Sequence, residues 1–199
     1  MIVTVDDGAA MFDGDRIDFT APDVKGRLAT GVSGKKVEGE TISIVAARET
    51  KMPKVAQVIA AVAAAKPKAI VLKTMRRDRT TADIPVALGA KREGCAAVGY
   101  IAKDSASSSW PASGATATKY TKGMAGPDIT RASDGVRKLV SACDATHIFV
   151  GADEGVTWGL VADLAIAVLE PEDGGAAASK AKAIAVVAKA TPGRKLEED

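Results

Sequence analysis

The sequence predicts an α+β fold built as two tandem small modules, residues 1–80 and 81–199. Three observations carry that expectation: strand patterns bracket a helical pattern in each half, their order repeats, and matching landmarks keep a constant spacing. Pro22 and Pro127 are 105 residues apart, and so are Ile44 and Phe149.

The segment Thr41-Ile-Ser-Ile-Val-Ala-Ala-Arg-Glu is rich in β-branched residues and reads as a strand. Met52 to Lys66 reads as a helix, because Val55, Val58, Ile59 and Val62 recur at i, i+3, i+4 and i+7 and line one face. Ala69-Ile-Val-Leu-Lys supplies a returning strand, so the helix between must cover one face of a sheet. The second half repeats the unit with Thr146 to Glu154 as strand, Val161, Leu164, Ala165 and Val168 as the helix face, and Ala183-Ile-Ala-Val-Val as strand. Within that helix Asp163 falls opposite Val58, a weak match.

Upstream, Ala21-Pro-Asp-Val and Gly126-Pro-Asp-Ile each open a helix, where a missing N–H costs nothing and a carboxylate suits the dipole. Ile2-Val-Thr-Val-Asp-Asp-Gly matches Val98-Gly-Tyr-Ile-Ala-Lys-Asp-Ser, a strand running into a polar turn. Met11 to Phe19, with Asp13-Gly14 as a turn signal, reads as a hairpin or a pair of short strands. The second copy carries extra residues at 105–122 and 171–179, read as loop insertions of small entropic cost. The boundary falls near Thr80, in the charge-dense stretch after Met75, with Ile84-Pro-Val-Ala-Leu as an edge strand shared between the halves.

Over 199 residues the chain is 47% hydrophobic and 26% charged with a formal net charge of +2, which excludes a disordered chain and strong electrostatic steering. Its longest apolar run, Val55 to Ala65, is far shorter than a membrane span requires, and no secretory leader pattern opens it.

The repeated unit resembles the periplasmic domain of the ExbD/TolR family of biopolymer-transport proteins. The likeness rests on the first strand with its Gly-containing hairpin (Ile2 to Phe19), the helix after it, and a strand closing on Ala152-Asp153 followed by Thr157-Trp158-Gly159. The first copy departs from the pattern, with Ala47-Arg48 in place of Ala-Asp and no aromatic residue near Met52-Pro53. The resemblance implies modules in which two helices pack on one face of a mixed sheet, often dimeric. It also implies a periplasmic place in a proton-driven envelope motor, touching peptidoglycan or a partner protein. The family's energy coupling depends on an acidic transmembrane helix that this chain lacks, so the chain conducts no protons unaided.

Chemistry-bearing constellations are sparse. His147 is the single imidazole, which leaves Ser-His-Asp, Cys-His and multi-histidine arrangements short of parts, and its expected role is structural. The glycines of Gly31-Val-Ser-Gly and Gly123-Met-Ala-Gly-Pro match neither phosphate-cradling pattern and read as turns. The carboxylates Asp6-Asp7, Asp13 to Asp18 and Asp153-Glu154 lack the calcium-loop spacing and read as solvated loops, so no metal or cofactor is expected. Lys73, Arg76, Arg77 and Arg79 form a basic run without interleaved aromatics; that speaks against nucleic acid and leaves either a solvated linker or a contact for an acidic partner. Trp110 and Trp158 are candidate exposed anchors, with Trp158 better placed to cap the second core.

Cys95 and Cys143 each precede a strand and approach one another if those strands run parallel as neighbours. In the oxidising compartment that the resemblance implies they form a disulfide; in a cytosolic protein they stay as buried thiols. The expected function is a non-enzymatic periplasmic scaffold or partner-binding component, assembling through surfaces and sheet edges, including as a homodimer. The rival expectation is a single-domain α/β small-ligand binder or enzyme, with one continuous sheet and a polar cleft drawn from both halves.

Overall fold

The computed structural model describes residues 1–92, 95–124, 126–143, 145–170 and 180–197. Strand β1 (Ile2–Val5) leads into the hairpin β2 (Ala9–Phe12) and β3 (Asp15–Asp18), then helix α1 (Val24–Ser33), strand β4 (Thr41–Ala46), helix α2 (Met52–Ala64) and strand β5 (Ala69–Met75). Strand β6 (Thr81–Val86) turns back along β5. The same order then recurs as β7 (Ala97–Ile101), β8 (Ser107–Pro111), β9 (Thr118–Tyr120), α3 (Ile129–Ser141), β10 (His147–Ala152), α4 (Trp158–Leu169) and β11 (Ala183–Val187).

The eleven strands among the described residues form one sheet in the order β3-β2-β1-β4-β5-β6-β11-β10-β7-β8-β9. This overturns the expectation of two tandem small modules with separate mixed sheets. The repeat persists as an order of elements, since each half lays its strands third-second-first-fourth-fifth, with the first, fourth and fifth parallel. It does not yield two bodies, because β6 pairs antiparallel with β5 over six residue pairs and parallel with β11 at Val86 and Ile184. The parallel strands of the two halves therefore run in opposite directions.

Strand β6 was expected at an edge because Pro85 has no N–H to give. It lies instead at the centre, and the proline sets how it pairs. Pro85 faces Val71 of β5, and ladder pairing with β11 is at Val86, followed by the Ala87 N–H, which donates to the Ile184 carbonyl at 2.7 Å. Thr80 lies in the tight β5–β6 turn, where its carbonyl accepts from the Arg76 N–H at 2.7 Å.

A second seam joins the segments leading into α2 and α4. The Met52 N–H donates to the Val156 carbonyl at 2.9 Å, and Trp158 N–H donates to the Thr50 carbonyl at 2.7 Å. One apolar core follows from this, holding Leu28 and Val32 of α1, Val55 to Val62 of α2, Val136 and Val140 of α3, and Val161 to Val168 of α4. The helical faces are those the spacing predicts. This helix-covered core is shared by both halves.

Local chemistry shaped several ends as expected. Asp13 and Gly14, at φ 48° and 97°, make the two-residue turn between β2 and β3. Asp23 and Asp128, expected with their prolines inside the first turn, lie one position before it and cap α1 and α3 by accepting from the Gly26 and Arg131 N–H groups. Within 105–122, β8 and β9 occupy the places that β2 and β3 hold in the first half, and the extra residues fall in the loops around them: residues 102–128 separate β7 from α3, where residues 6–23 separate β1 from α1. The supposed insertion at 171–179 lies outside the described residues.

The outer face of the second half buries Val98, Tyr100, Trp110, Phe149, Val187 and Leu196 in a second cluster. The chain after β11 crosses there, with Trp110 Nε1 donating to the Arg194 carbonyl at 2.9 Å and the Leu196 N–H to the Ala112 carbonyl at 3.0 Å.

Candidate functional site

An open groove of about 960 Å³ lies between the β5–β6 turn and the helices α3 and α4. The turn contributes Arg76, Arg77 and Asp78; α3 contributes Ile129, Ser133, Asp134, Arg137 and Lys138; α4 contributes Asp163, Ile166, Ala167 and Glu170. Its walls therefore come from both halves of the chain.

Asp163 organises the floor. It is the single charged residue of α4, its side chain is 12% exposed, and Arg48 meets it with two hydrogen bonds of 2.8 Å. Arg77 Nε donates a third, at 2.7 Å to Oδ2, while Arg48 also donates to the Met75 carbonyl at 2.8 Å. The Asp163 carboxylate raises the Arg48 pKa above its ordinary value, against the opposing effect of burial. One side chain thus ties the ends of β4 and β5 and the following turn to α4.

The rest of the lining is paired less completely. Arg76 Nη2 reaches Glu170 at 2.5 Å. Arg137 donates to Asp134 and, at 2.6 Å, to the Ala167 carbonyl, while its buried Nε has no partner. Asp78 caps its own turn, and hydrogen bonds from the Thr80 hydroxyl and then its N–H lower the carboxyl pKa.

The expected partner-binding residues divide. Arg76 and Arg77 line the groove, in a hairpin turn rather than a linker. Trp110 and Trp158 are corrections as exposed anchors, since both are completely buried. Trp110 lies beneath the crossing segment at Arg194, and Trp158 sits at the start of α4 within the core. Cys95 and Cys143 form a disulfide with their Cα atoms 5.7 Å apart, carried by the parallel pairing of β7 and β10.

Sheet edges offer little as assembly surfaces. Strand β3 bears Asp15, Arg16 and Asp18, and β9 spans three residues including Lys119; short, charged edges oppose pairing with another chain. The inner edges of the two halves are already consumed by β6.

Other polar residues serve local structure. His147 is half-buried, its ring edge-on to Phe149 at 5.2 Å, and burial lowers its pKa. Asp153 accepts from the Tyr100 hydroxyl and the Lys103 N–H, both at 2.9 Å; burial first and that carboxylate second raise the tyrosine pKa. Asp6 closes a turn through the Gly8 and Ala9 N–H groups, and Asp7 pairs with Lys54 at 2.9 Å. Among the described residues there is no group of three or more His, Cys, Asp or Glu placed to hold a metal ion, and no helix long and apolar enough to cross a membrane.

Compared with protein-family models, curated proteins and solved structures, the chain matches none of them.

The sequence reading passed over Arg48, Arg137, Lys138 and Glu170. The signal that could have led to them was Asp163 itself, a lone carboxylate in the run Trp158 to Leu169 that is otherwise apolar or small. Such a residue needs a cationic partner when buried.

Proposed function

We propose that this protein is a non-enzymatic, periplasmic partner-binding or scaffold component of a proton-driven cell-envelope complex, and that the groove is its recognition surface. The single observation that carries the reading is the groove itself, lined from both halves and floored by a fixed ion cluster. The disulfide is compatible with an oxidising compartment. The twice-repeated likeness to ExbD/TolR domains supports the envelope setting, with motor or transport proteins or peptidoglycan as the partners. The absence of catalytic constellations in the sequence supports binding over turnover: the single imidazole is half-buried in a strand and both thiols are joined to each other.

The test is capture on purified sacculi and on envelope motor proteins, with the Arg76→Glu/Arg77→Glu variant in parallel. Retention of the native protein and its loss in the variant supports the reading. No retention of either, or equal retention of both, counts against it.

A second reading is a small-ligand binder. One continuous sheet with a polar groove drawn from both halves fits it, and the volume lies within the range of small-molecule sites, roughly 300–1,000 Å³. A thermal-shift screen of metabolites that raised the melting temperature in the native protein alone would favour it.

A further inference from the structure

We infer that the groove binds a short protein segment bearing carboxylates beside aliphatic side chains. The inference rests on the groove being the recognition surface, and it adds the chemistry of what is recognised.

Unfilled hydrogen-bond donors are the first ground. Asp163 is occupied by three bonds from two arginines, and Oδ1 of Asp78 is taken by Thr80. On the cationic side, Arg77 spends its Nε alone and its side chain is 66% exposed. The pair of terminal nitrogens at its far end has no partner among the described residues, and the anchored Nε fixes the plane of the fork. A planar guanidinium held by its side edge presents its end edge to a carboxylate in the bidentate arrangement. Lys138, exposed on the last turn of α3, makes no ion pair among the described residues, and Arg76 uses one of its terminal nitrogens.

The second ground is what lies between these donors. Ile129, Ile166 and Ala167 give the groove an apolar strip beside the charges. A free inorganic anion would leave that strip wet, whereas a segment alternating acidic and aliphatic residues would cover it.

The third ground is charge balance. Four cations in the lining, Arg76, Arg77, Arg137 and Lys138, face four carboxylates, Asp78, Asp134, Asp163 and Glu170. Such a wall lacks the net positive field that a nucleic acid or polyphosphate requires. It selects by directed bonds, one carboxylate at a time.

Binding of an acetylated, amidated pentapeptide alternating leucine and glutamate to the disulfide-intact chain, followed by titration calorimetry and by the arginine Nε–Hε NMR signals, tests this. The lysine-for-glutamate counterpart and inorganic phosphate serve as comparisons. The glutamate peptide is expected to bind and to shift the Arg77 signal; Arg77→Gln and Lys138→Gln, both surface changes checked by thermal melting, each weaken it about tenfold, as loss of one charge-assisted bond does. The lysine peptide binds at least tenfold more weakly, and phosphate does not compete. Equal binding of the two peptides, unchanged affinity in both variants, or competition by phosphate at equal concentration would overturn the inference. If the peptide binds but envelope capture fails, the envelope reading falls and the groove's chemistry stands. If capture survives Arg77→Gln/Lys138→Gln, the groove assignment falls alone.

Discussion

Removing Asp163 tests whether the ion cluster is what holds the two halves in register around the groove. In Asp163→Ala, Arg48 loses two hydrogen bonds and Arg77 loses one, while the Arg48 side chain stays 24% exposed with the Met75 carbonyl as its remaining partner. Breaking a buried pair by removing one member costs roughly 3–5 kcal/mol, because the other charge is left poorly solvated. Two features lower the figure here: Arg77 is mostly exposed and regains water, and Arg48 is partly hydrated already. The expected loss is therefore about 3 kcal/mol, at the lower end of that range. For a chain of this length that corresponds to a fall in Tm of roughly 6–12 °C. Urea unfolding of the disulfide-intact protein measures it, and a double-mutant cycle with Arg48→Met isolates the pair, with a coupling of about 1–3 kcal/mol. A loss below about 1 kcal/mol, the level of an exposed ion pair, would refute the argument that Asp163 ties the sheet ends to α4.

Other outcomes follow from single features. At Gly135 an added Cβ would overlap the Tyr120 hydroxyl and come within 2.7 Å of Ser109 Oγ, so Gly135→Ala should lose about 1–3 kcal/mol in urea unfolding, partly restored by Tyr120→Phe. The Cys95–Cys143 bond closes a separation of 48 residues; Cys95→Ala/Cys143→Ala should lower stability by about 4 kcal/mol in the chain-entropy model, seen as a lower urea midpoint. His147 is held below its ordinary pKa of 6.5 by burial, so the unfolded chain takes up its proton first. Its share of stability is complete above pH 6.5 and falls as the pH drops toward the depressed folded value; His147→Gln should flatten that part of the stability profile, and a folded-state NMR titration midpoint above 6.5 would contradict the assignment. Expressed separately, residues 1–80 and 81–199 should not give native-like near-ultraviolet signals, because each exposes its part of the core that the two halves share; a folded, soluble fragment of either half would contradict that sharing.

Much of the local structure was legible because it rests on local physics. The i, i+3, i+4 and i+7 rows of α2 and α4, the β-branched runs of β4 and β5, the Asp13-Gly14 turn and the capping aspartates all act within a few residues of themselves. The sequence put Cys95 and Cys143 side by side only on the condition that their strands run parallel as neighbours, which β7 and β10 do. What escaped depends on partners distant in the chain. Ser107 to Pro111 has no β-branched residue, and it is strand because β7 pairs along it and residues 194–196 cover Trp110. Pro85 pointed to an edge, yet the pairing of β6 with β11 starts only past the proline. The basic run at Arg76 and Arg77 looked like solvated linker because its carboxylates, Asp163 and Glu170, lie more than eighty positions downstream. Strand patterns identify strands and leave open which strands adjoin, so two short sheets and one long sheet read alike.

The groove exists because the two repeats are continued differently. After β5 the chain doubles back as β6, and the turn between them carries Arg76, Arg77 and Asp78 against α3 and α4 of the other half. After β11, its counterpart, the chain crosses instead to the outer face and is used to bury Trp110. An independent copy of the unit would have neither feature: its β5 would end at an open edge and nothing would face its helices. Joining the copies through β6 consumes the edges by which small sheets ordinarily associate, and it places a charged turn from one half over the helices of the other. The surface that the junction builds is therefore one of side chains of defined charge and position, where a lone unit would present unpaired backbone.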